Sequence, residues 1–367
     1  MKVLITGSKG FIAKHLIHAL SQNPDLEILG YTKDQEHEIL KKYLQVADVV
    51  YHLSGVNRHK NESDFQTSNI DLTKFICEYL KSIQRKPVIV FSSSILVRAD
   101  NAYGRSKYQA ETILAQYQHE TDSPVIILRL PNIFGSGGIP HYNSVIATFC
   151  YSIANDLPIT IHSLNTILPC AYIDDVVKDL VSYLSASNQL IYPEMVTPNF
   201  YVSLEEIAKT IYGFHALKST GIFPKANLFN RYLYIVYLSY LPTSALCYSL
   251  VTKSDTRGCL AELIKQTDFG QIFVSRTKAG VTRGNHYHNR KIEKFIVLEG
   301  EALIRLRDIK NHQVTEYRVT GLDWQVVDIP THMTHSITNV GEKELVTLFW
   351  ANEIFDPLNS DTYALNV

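Results

Sequence analysis

Three groups of residues have types and spacings suited to chemistry. Tyr103-Gly-Arg-Ser-Lys107 sets a phenol and an ammonium four residues apart, a separation that a helix turns into neighbours on one face. An ammonium beside a phenol lowers its pKa and lets it hand a proton to a carbonyl at neutral pH. Just upstream, the strand end Phe91-Ser-Ser-Ser94 offers a hydroxyl to hold that carbonyl, with Ser94 the first choice and Ser93 the second. Near the start, Gly7-Ser-Lys-Gly10-Phe-Ile-Ala13 leads from a strand straight into a helix. Glycines there let the backbone approach a pyrophosphate at a helix N-terminus, where the dipole and free N–H groups favour negative charge. Either motif alone is common in purely structural settings. Their order and spacing, with the Tyr/Lys pair about ninety residues after the glycine turn, give them weight. The third group is His286-Tyr-His288 with Glu293 and His335. Residues two apart on a strand face the same side, so both histidines can point inward, and Glu293 and His335 complete a three-nitrogen, one-carboxylate set suited to a divalent ion. The same pocket could also bind without metal, or use its histidines as bases.

The elements that must position these groups change character along the chain. Up to about Leu184, apolar runs at Val3–Thr6, Ile28–Thr32, Val49–Leu53, Val88–Ser92 and Val125–Leu130 alternate with helical periodicity at Ile12–Ser21, Asn69–Ser82 and Ser106–Gln118. That alternation predicts a parallel sheet with crossover helices. Ser203 and Glu206 form a capping box opening a helix to Tyr212. After about Ser249 the pattern becomes short strands: Ile272–Thr277, Lys294–Leu298, Ala302–Arg307, Glu316–Val319, Val326–Ile329, Ser336–Thr338 and Leu345–Trp350. Gly, Asn and Asp punctuate them, as in a small antiparallel barrel or sandwich. Two domains are expected, 1–245 and 246–367, with the Tyr- and Leu-rich Gly221–Ser249 stretch between them as a packing or oligomer contact.

Composition narrows the function classes. With 367 residues and 46% hydrophobic content, two cores can be buried. The 35 basic and 36 acidic residues leave no whole-chain field for nucleic acid or an anionic membrane. Five single cysteines, with no CxxC pair, argue against a disulfide framework and against a cysteine metal site. No signal-peptide core precedes Gly7, and the longest apolar stretch, Leu233–Leu241, is about half a membrane span. A cytoplasmic protein without membrane insertion is expected.

The first two groups together resemble the extended short-chain dehydrogenase/reductases that act on nucleotide sugars. The glycine turn is their GxxGxxA form, with Ala13 in the place of a third glycine, and His52-Leu-Ser-Gly55, Arg129-Leu-Pro-Asn132-Ile-Phe-Gly135 and Tyr172-Ile-Asp-Asp175-Val match further family segments. The resemblance implies a Rossmann-type sheet, cofactor contacts from Gly7, Gly10, Phe11, Ile12, Lys33, Leu53, Gly55, Tyr103 and Lys107, and catalysis by Ser94, Tyr103 and Lys107. One departure is the short interval from Ser94 to Tyr103, nine positions. An acid at the end of the second strand would favour NAD, but the chain reads Gly30-Tyr-Thr-Lys33 there, with Asp34 one step late. A lysine beside the ribose suits a 2′-phosphate, hence NADPH.

The third group resembles the cupin motifs: Gly280, His286, His288, Glu293 and Gly300 for the first, Pro330, His335 and Asn339 for most of the second. It implies an all-β cupin barrel holding a metal on His286, His288, Glu293 and His335, with zinc the first choice because it tolerates such sets without redox chemistry. His332 and Trp324 stand where glycines are usual. The joined halves resemble the bifunctional reductase–cupin family of capsule and O-antigen synthesis, also through Leu53–Arg58, Tyr142–Cys150 and Asn352–Pro357. That family implies a homodimer and a UDP-sugar substrate. On that resemblance the cupin would epimerise carbon 3 of a UDP-2-acetamido-2,6-dideoxy-4-keto-hexose, and the reductase would then reduce carbon 4 to give UDP-N-acetyl-6-deoxy-L-talosamine. His332, Lys294 and Tyr287 are candidates for the base. The rival expectation is a reductase whose cupin only mediates dimerisation.

Overall fold

The computed structural model describes residues 1–57, 65–161, 163–185, 191–194, 200–310 and 312–367. Arg58 therefore lies outside the described residues. The chain divides into two compact units, Met1–Ala208 with Ile235–Tyr240, and Lys209–Tyr234 with Leu241–Val367.

The strands of the first unit are β1 (Lys2–Thr6), β2 (Glu27–Tyr31), β3 (Val49–His52), β4 (Val88–Ser94), β5 (Val125–Leu130), β6 (Asn132–Phe134), β7 (Ile167–Tyr172), β8 (Ile191–Glu194) and β9 (Phe200–Ser203). Six of them form a parallel sheet in the order β2-β1-β3-β4-β5-β8, and β6-β7-β9 make a smaller one. Helices cover both faces of the parallel sheet, so Val3, Leu4 and Ile5 are all buried, as are Ile89, Val90 and Phe91. Leu40 and Leu44 from helix His37–Val46, Ile76 and Leu80 from Leu72–Ser82, and Ala110 and Leu114 from Ala102–Thr121 close one side of that core. Helix His37–Val46 was not among the expected elements, because only Leu40 and Leu44 of its ten residues are buried and the rest are mostly polar. β2 pairs on one side of β1 and β3 on the other. Ligand crevices form where strand order reverses in this way, and Gly7, Leu53–Gly55 and Ser92–Ser94 all follow or end strands at that edge.

The second unit contains β10 (Thr252–Asp255), β11 (Gly258–Gln266), β12 (Gly270–Thr277), β13 (Thr282–Tyr287), β14 (Glu293–Glu299), β15 (Glu301–Asp308), β16 (Val314–Thr320), β17 (Val326–Ile329), β18 (Met333–Asn339), β19 (Leu345–Ala351) and β20 (Tyr363–Ala364). They build two antiparallel sheets, β10-β11-β12-β19-β14-β17 and β16-β15-β18-β13-β20. Phe295, Val297 and Phe349 from one sheet share a core with Ile304, Leu306 and Ile337 from the other. β13, which carries His286, was absent from the expected strands. Gly284 (φ +95°) and Asn285 (φ +59°) interrupt its alternation with a bulge. A Cβ on Gly284 would lie 2.7 Å from the His335 carbonyl oxygen, so the close pairing of β13 with β18 needs glycine there. Among the described residues no helix is long and apolar enough to cross a membrane.

Candidate functional site

In the first unit the glycine turn is shaped by what crowds it. Gly7 has φ +68°, and a Cβ there would sit 2.8 Å from the Ser54 backbone. Gly10 is the N-cap of helix Phe11–Leu20 and provides no side-chain cap, so the first-turn N–H groups beginning at Phe11 and Ile12 are left for an outside acceptor. This cradle fits the pyrophosphate of a nicotinamide dinucleotide. At the end of β2, Lys33 is exposed, while Lys9 of the glycine turn pairs with Asp34 at 3.1 Å.

Tyr103 and Lys107 lie on helix Ala102–Thr121, which Asn101 caps through Gly104 N–H at 2.8 Å. The short interval after Ser94 is one 3-10 turn, Ile95–Arg98. Gly104 makes room for it, since a Cβ would lie 2.4 Å from the Leu96 carbonyl oxygen. The three serines separate by their partners. Ser92 Oγ donates to the His52 carbonyl at 3.4 Å and Ser93 Oγ to Glu111 at 2.5 Å, whereas Ser94 Oγ accepts from Leu96 N–H at 3.1 Å and keeps its own proton to donate. Burial raises the Tyr103 phenol, and a hydrogen bond with Ser94 opposes that rise. Lys107 is buried, donates to the Ser92 carbonyl at 2.8 Å and lies 4.8 Å from the centre of the Phe91 ring. Burial lowers its pKa to about 8, with the charge of Glu111 acting upward. The phenol therefore stands above its usual value, against the lowering expected from the ammonium, and the one group that acts downward on it is Ser94.

Three further residues of this site carried no sequence signal strong enough to single out. Asn69, buried at the π-helical turn Gln66–Asp71, accepts from Val56 N–H at 2.9 Å and donates to the Val56 carbonyl at 3.1 Å and to Ser106 Oγ at 2.9 Å. It thereby ties the Leu53–Val56 loop to the Tyr103 helix. Gly55 permits this, because a Cβ there would meet Asn69 Oδ1 at 2.9 Å and Lys107 Nζ at 3.2 Å. Thr73 Oγ1 donates to the Asn69 carbonyl, so it accepts from His52 Nε2, and His52 Nδ1 in turn accepts from Thr6. Glu111, four residues after Lys107, pairs with Arg129 of the family-like segment. Asn132 Nδ2 donates to the Pro169 carbonyl at 3.2 Å, and Gly135 packs where a Cβ would strike Ile173.

In the second unit the structure brings together His286, His288, Glu293 and His335, with one ligand atom from each within 4.8 Å of all the others. β13–β18 register sets His286 beside His335, and β14 brings Glu293 from the other sheet. Glu293 Oε2 lies 3.5 Å from His288 Nε2 and 3.3 Å from His335 Nε2. Those two nitrogens are buried with no hydrogen-bond partner, a costly state for polar atoms unless something binds them. Burial, followed by the neighbouring histidines, lowers His286 to about 4, leaving a neutral imidazole. Burial would raise the Glu293 carboxyl, but His288 and His335, when protonated, hold it well below the usual carboxylate range. Three imidazoles around a carboxylate are the donor set of a divalent transition metal.

The three base candidates are placed differently. Lys294 is exposed on the face of β14 opposite Glu293 and pairs with Asp328. Tyr287 stacks on Tyr363, ring centres 5.2 Å apart. His332 is exposed, with φ +61°, the left-handed region that makes glycine usual there, and its N–H donates to the His288 carbonyl at 2.7 Å. Trp324 is exposed.

Comparison with known proteins agrees with this division. The model of the NAD dependent epimerase/dehydratase family matches residues 3–196, and that of the polysaccharide biosynthesis C-terminal domain matches residues 253–363. Over its full length the chain is similar to the UDP-2-acetamido-2,6-beta-L-arabino-hexul-4-ose reductase of Pseudomonas aeruginosa, with 37% identity covering 100% of this chain and 99% of that one. Among solved structures, the capsular polysaccharide assembling protein CapF from Staphylococcus aureus matches with 40% identity and a TM-score of 0.87 over 100% of both chains. The UDP-glucuronic acid 4-epimerase of Bacillus cereus in complex with NAD, at 20% identity and TM-score 0.57, covers 65% of this chain and 98% of its own. That last likeness is one of fold.

Proposed function

Since the chain belongs to the family of UDP-2-acetamido-2,6-beta-L-arabino-hexul-4-ose reductases, we propose that it performs two successive steps on a UDP-2-acetamido-2,6-dideoxy-4-keto-hexose. Residues 246–367, acting as a cupin, epimerise carbon 3. Residues 1–245 then reduce carbon 4, giving UDP-N-acetyl-6-deoxy-L-talosamine for a surface polysaccharide. The observation that carries the reading is that one chain holds two complete sets of reactive groups, Ser94/Tyr103/Lys107 and His286/His288/Glu293/His335, in separate compact units.

In the reductase the nicotinamide cofactor, read as NADPH from Lys33 and the late Asp34 in the sequence, supplies the hydride when bound. Ser94 donates to the carbon 4 carbonyl oxygen and Tyr103 delivers the proton to it. Lys107 holds the cofactor ribose and keeps positive charge beside the phenol as it loses that proton. In the cupin, a divalent ion held by His286, His288, Glu293 and His335, zinc by preference, would polarise the ketone and make the carbon 3 proton removable. The protein must also exclude bulk water there and return the proton to the opposite face.

Chemistry sets the order, because reduction destroys the ketone that acidifies carbon 3. The test is solvent-deuterium exchange into carbon 3 by the full-length, metal-loaded protein without NADPH. Incorporation supports a catalytic cupin; none would return the cupin to a structural, dimerising role.

A further inference from the structure

The last residues of the chain reach the neighbourhood of three of the four cluster members. β20 pairs with β13, setting Ala364 opposite His286 and Tyr363 opposite Tyr287. Leu365 N–H donates to the Asn285 carbonyl at 2.9 Å, and the Leu365 carbonyl accepts from Thr334, the residue before His335, at 2.6 Å. Asp361 is the most deeply placed, 2% exposed. Its carboxylate accepts the backbone N–H groups of Asn289 at 3.1 Å, Arg290 at 2.8 Å and Lys291 at 2.8 Å. These three amides belong to the turn that joins His288 to Glu293.

Asp361 also acts through its main chain, since its carbonyl oxygen meets His288 Nδ1. A carbonyl can only accept, so Nδ1 carries the imidazole proton and Nε2 keeps its lone pair, facing Glu293 Oε2. A histidine ligand is oriented and its tautomer chosen by just such a partner. A buried carboxylate spent on three amides of the ligand turn does more than fasten a chain end. It fixes the distance between two ligands that lie on different elements.

We propose that residues 361–367 are a working part of the metal centre, with Asp361 a positioning residue that sets metal affinity through the tautomer and placement of His288. The proposal rests on the metal reading given above. The experiment compares full-length wild type with Asp361→Ala, Asp361→Asn, Thr334→Val and His286→Ala. Zinc affinity is read by competition with a chromophoric chelator, and ligand geometry by the visible spectrum of the cobalt(II)-loaded protein. Asp361→Ala should weaken zinc binding about 10–100-fold and shift the cobalt bands. Asp361→Asn should weaken it less, while NADPH binding stays as in wild type in both. Should Asp361→Ala fail to fold, Thr334→Val, which removes one anchor and leaves Asp361 in place, should still weaken zinc binding severalfold. Wild-type affinity and an unchanged cobalt spectrum in the folded Asp361 variants, or in Thr334→Val where those do not fold, would overturn the proposal alone. Failure of wild type to bind zinc, or undiminished binding by His286→Ala, would overturn the metal reading and this proposal with it.

Discussion

Glu111 and Arg129 meet as a two-point ion pair, with Arg129 Nε 3.0 Å from Oε1 and Nη2 2.6 Å from Oε2 of Glu111. The same carboxylate takes the Ser93 hydroxyl and follows Lys107 by one helical turn. It joins β4, β5 and the Tyr103 helix, and its charge favours the Lys107 ammonium that burial disfavours. Glu111→Gln should therefore move the alkaline limb of carbonyl reduction to lower pH, because Lys107 would lose its proton sooner. It should also destabilise the reductase unit by about 1–3 kcal/mol through the stranded Arg129. A pH–rate profile with an unmoved alkaline limb would reduce the pair to scaffolding.

His52 is buried between Thr6 and Thr73, and its pKa falls to about 3 through burial first and the charge of Lys107 second. In the unfolded chain it titrates near the ordinary histidine value of 6.5. Between those values the unfolded state binds the extra proton, so this contribution to stability is whole above about 6.5 and is lost as pH falls towards 3. By pH 5 the loss is on the order of 2 kcal/mol. Thermal unfolding of the reductase unit should show a lower midpoint at pH 5 than at pH 7. His52→Gln should start lower at pH 7 and lose less on acidification; equal losses would place the sensitivity at another group.

Cofactor preference turns on the end of β2. Asp34 is one position late to meet a ribose 2′-hydroxyl as an acid and is answered by Lys9, while Lys33 is exposed. Lys33→Ala should weaken NADPH binding by about 1–3 kcal/mol, one charge-assisted contact, with little change for NADH. Calorimetric titration with both cofactors decides it, and equal losses would remove Lys33 from the argument.

Legibility of the sequence followed the locality of the contacts. The glycine turn, the Tyr103/Lys107 pair and the spacing from His286 to Glu293 are each set within a turn or a strand, and residue type together with order along the chain points to them. The strand runs of the parallel sheet were readable because both faces are buried. Asn69 and Asp361 act across 37 and 72 positions, on Ser106 and Asn289, and no local pattern announces such partners. β13 escaped because Gly284 and Asn285 break the alternation that marks a strand, and helix His37–Val46 because two buried leucines make too thin a stripe.

The division of labour should be separable by mutation, since the two sets of groups lie in different compact units. Tyr103→Phe removes the proposed proton donor and leaves the His286/His288/Glu293/His335 cluster unaltered. Carbon 3 should still exchange with solvent deuterium, while NADPH oxidation falls by about 10²–10⁴. His288→Ala removes one member of the cluster, together with the nitrogen that Asp361 orients. Exchange should then be lost, and any remaining NADPH oxidation should give the sugar with carbon 3 unepimerised, identifiable by its proton couplings. In wild type, exchange should precede reduction, because the ketone is needed for one and consumed by the other. If Tyr103→Phe abolished exchange as strongly as reduction while still binding NADPH, a single site would be doing both steps, and the metal cluster would have to be reassigned to holding the second unit together.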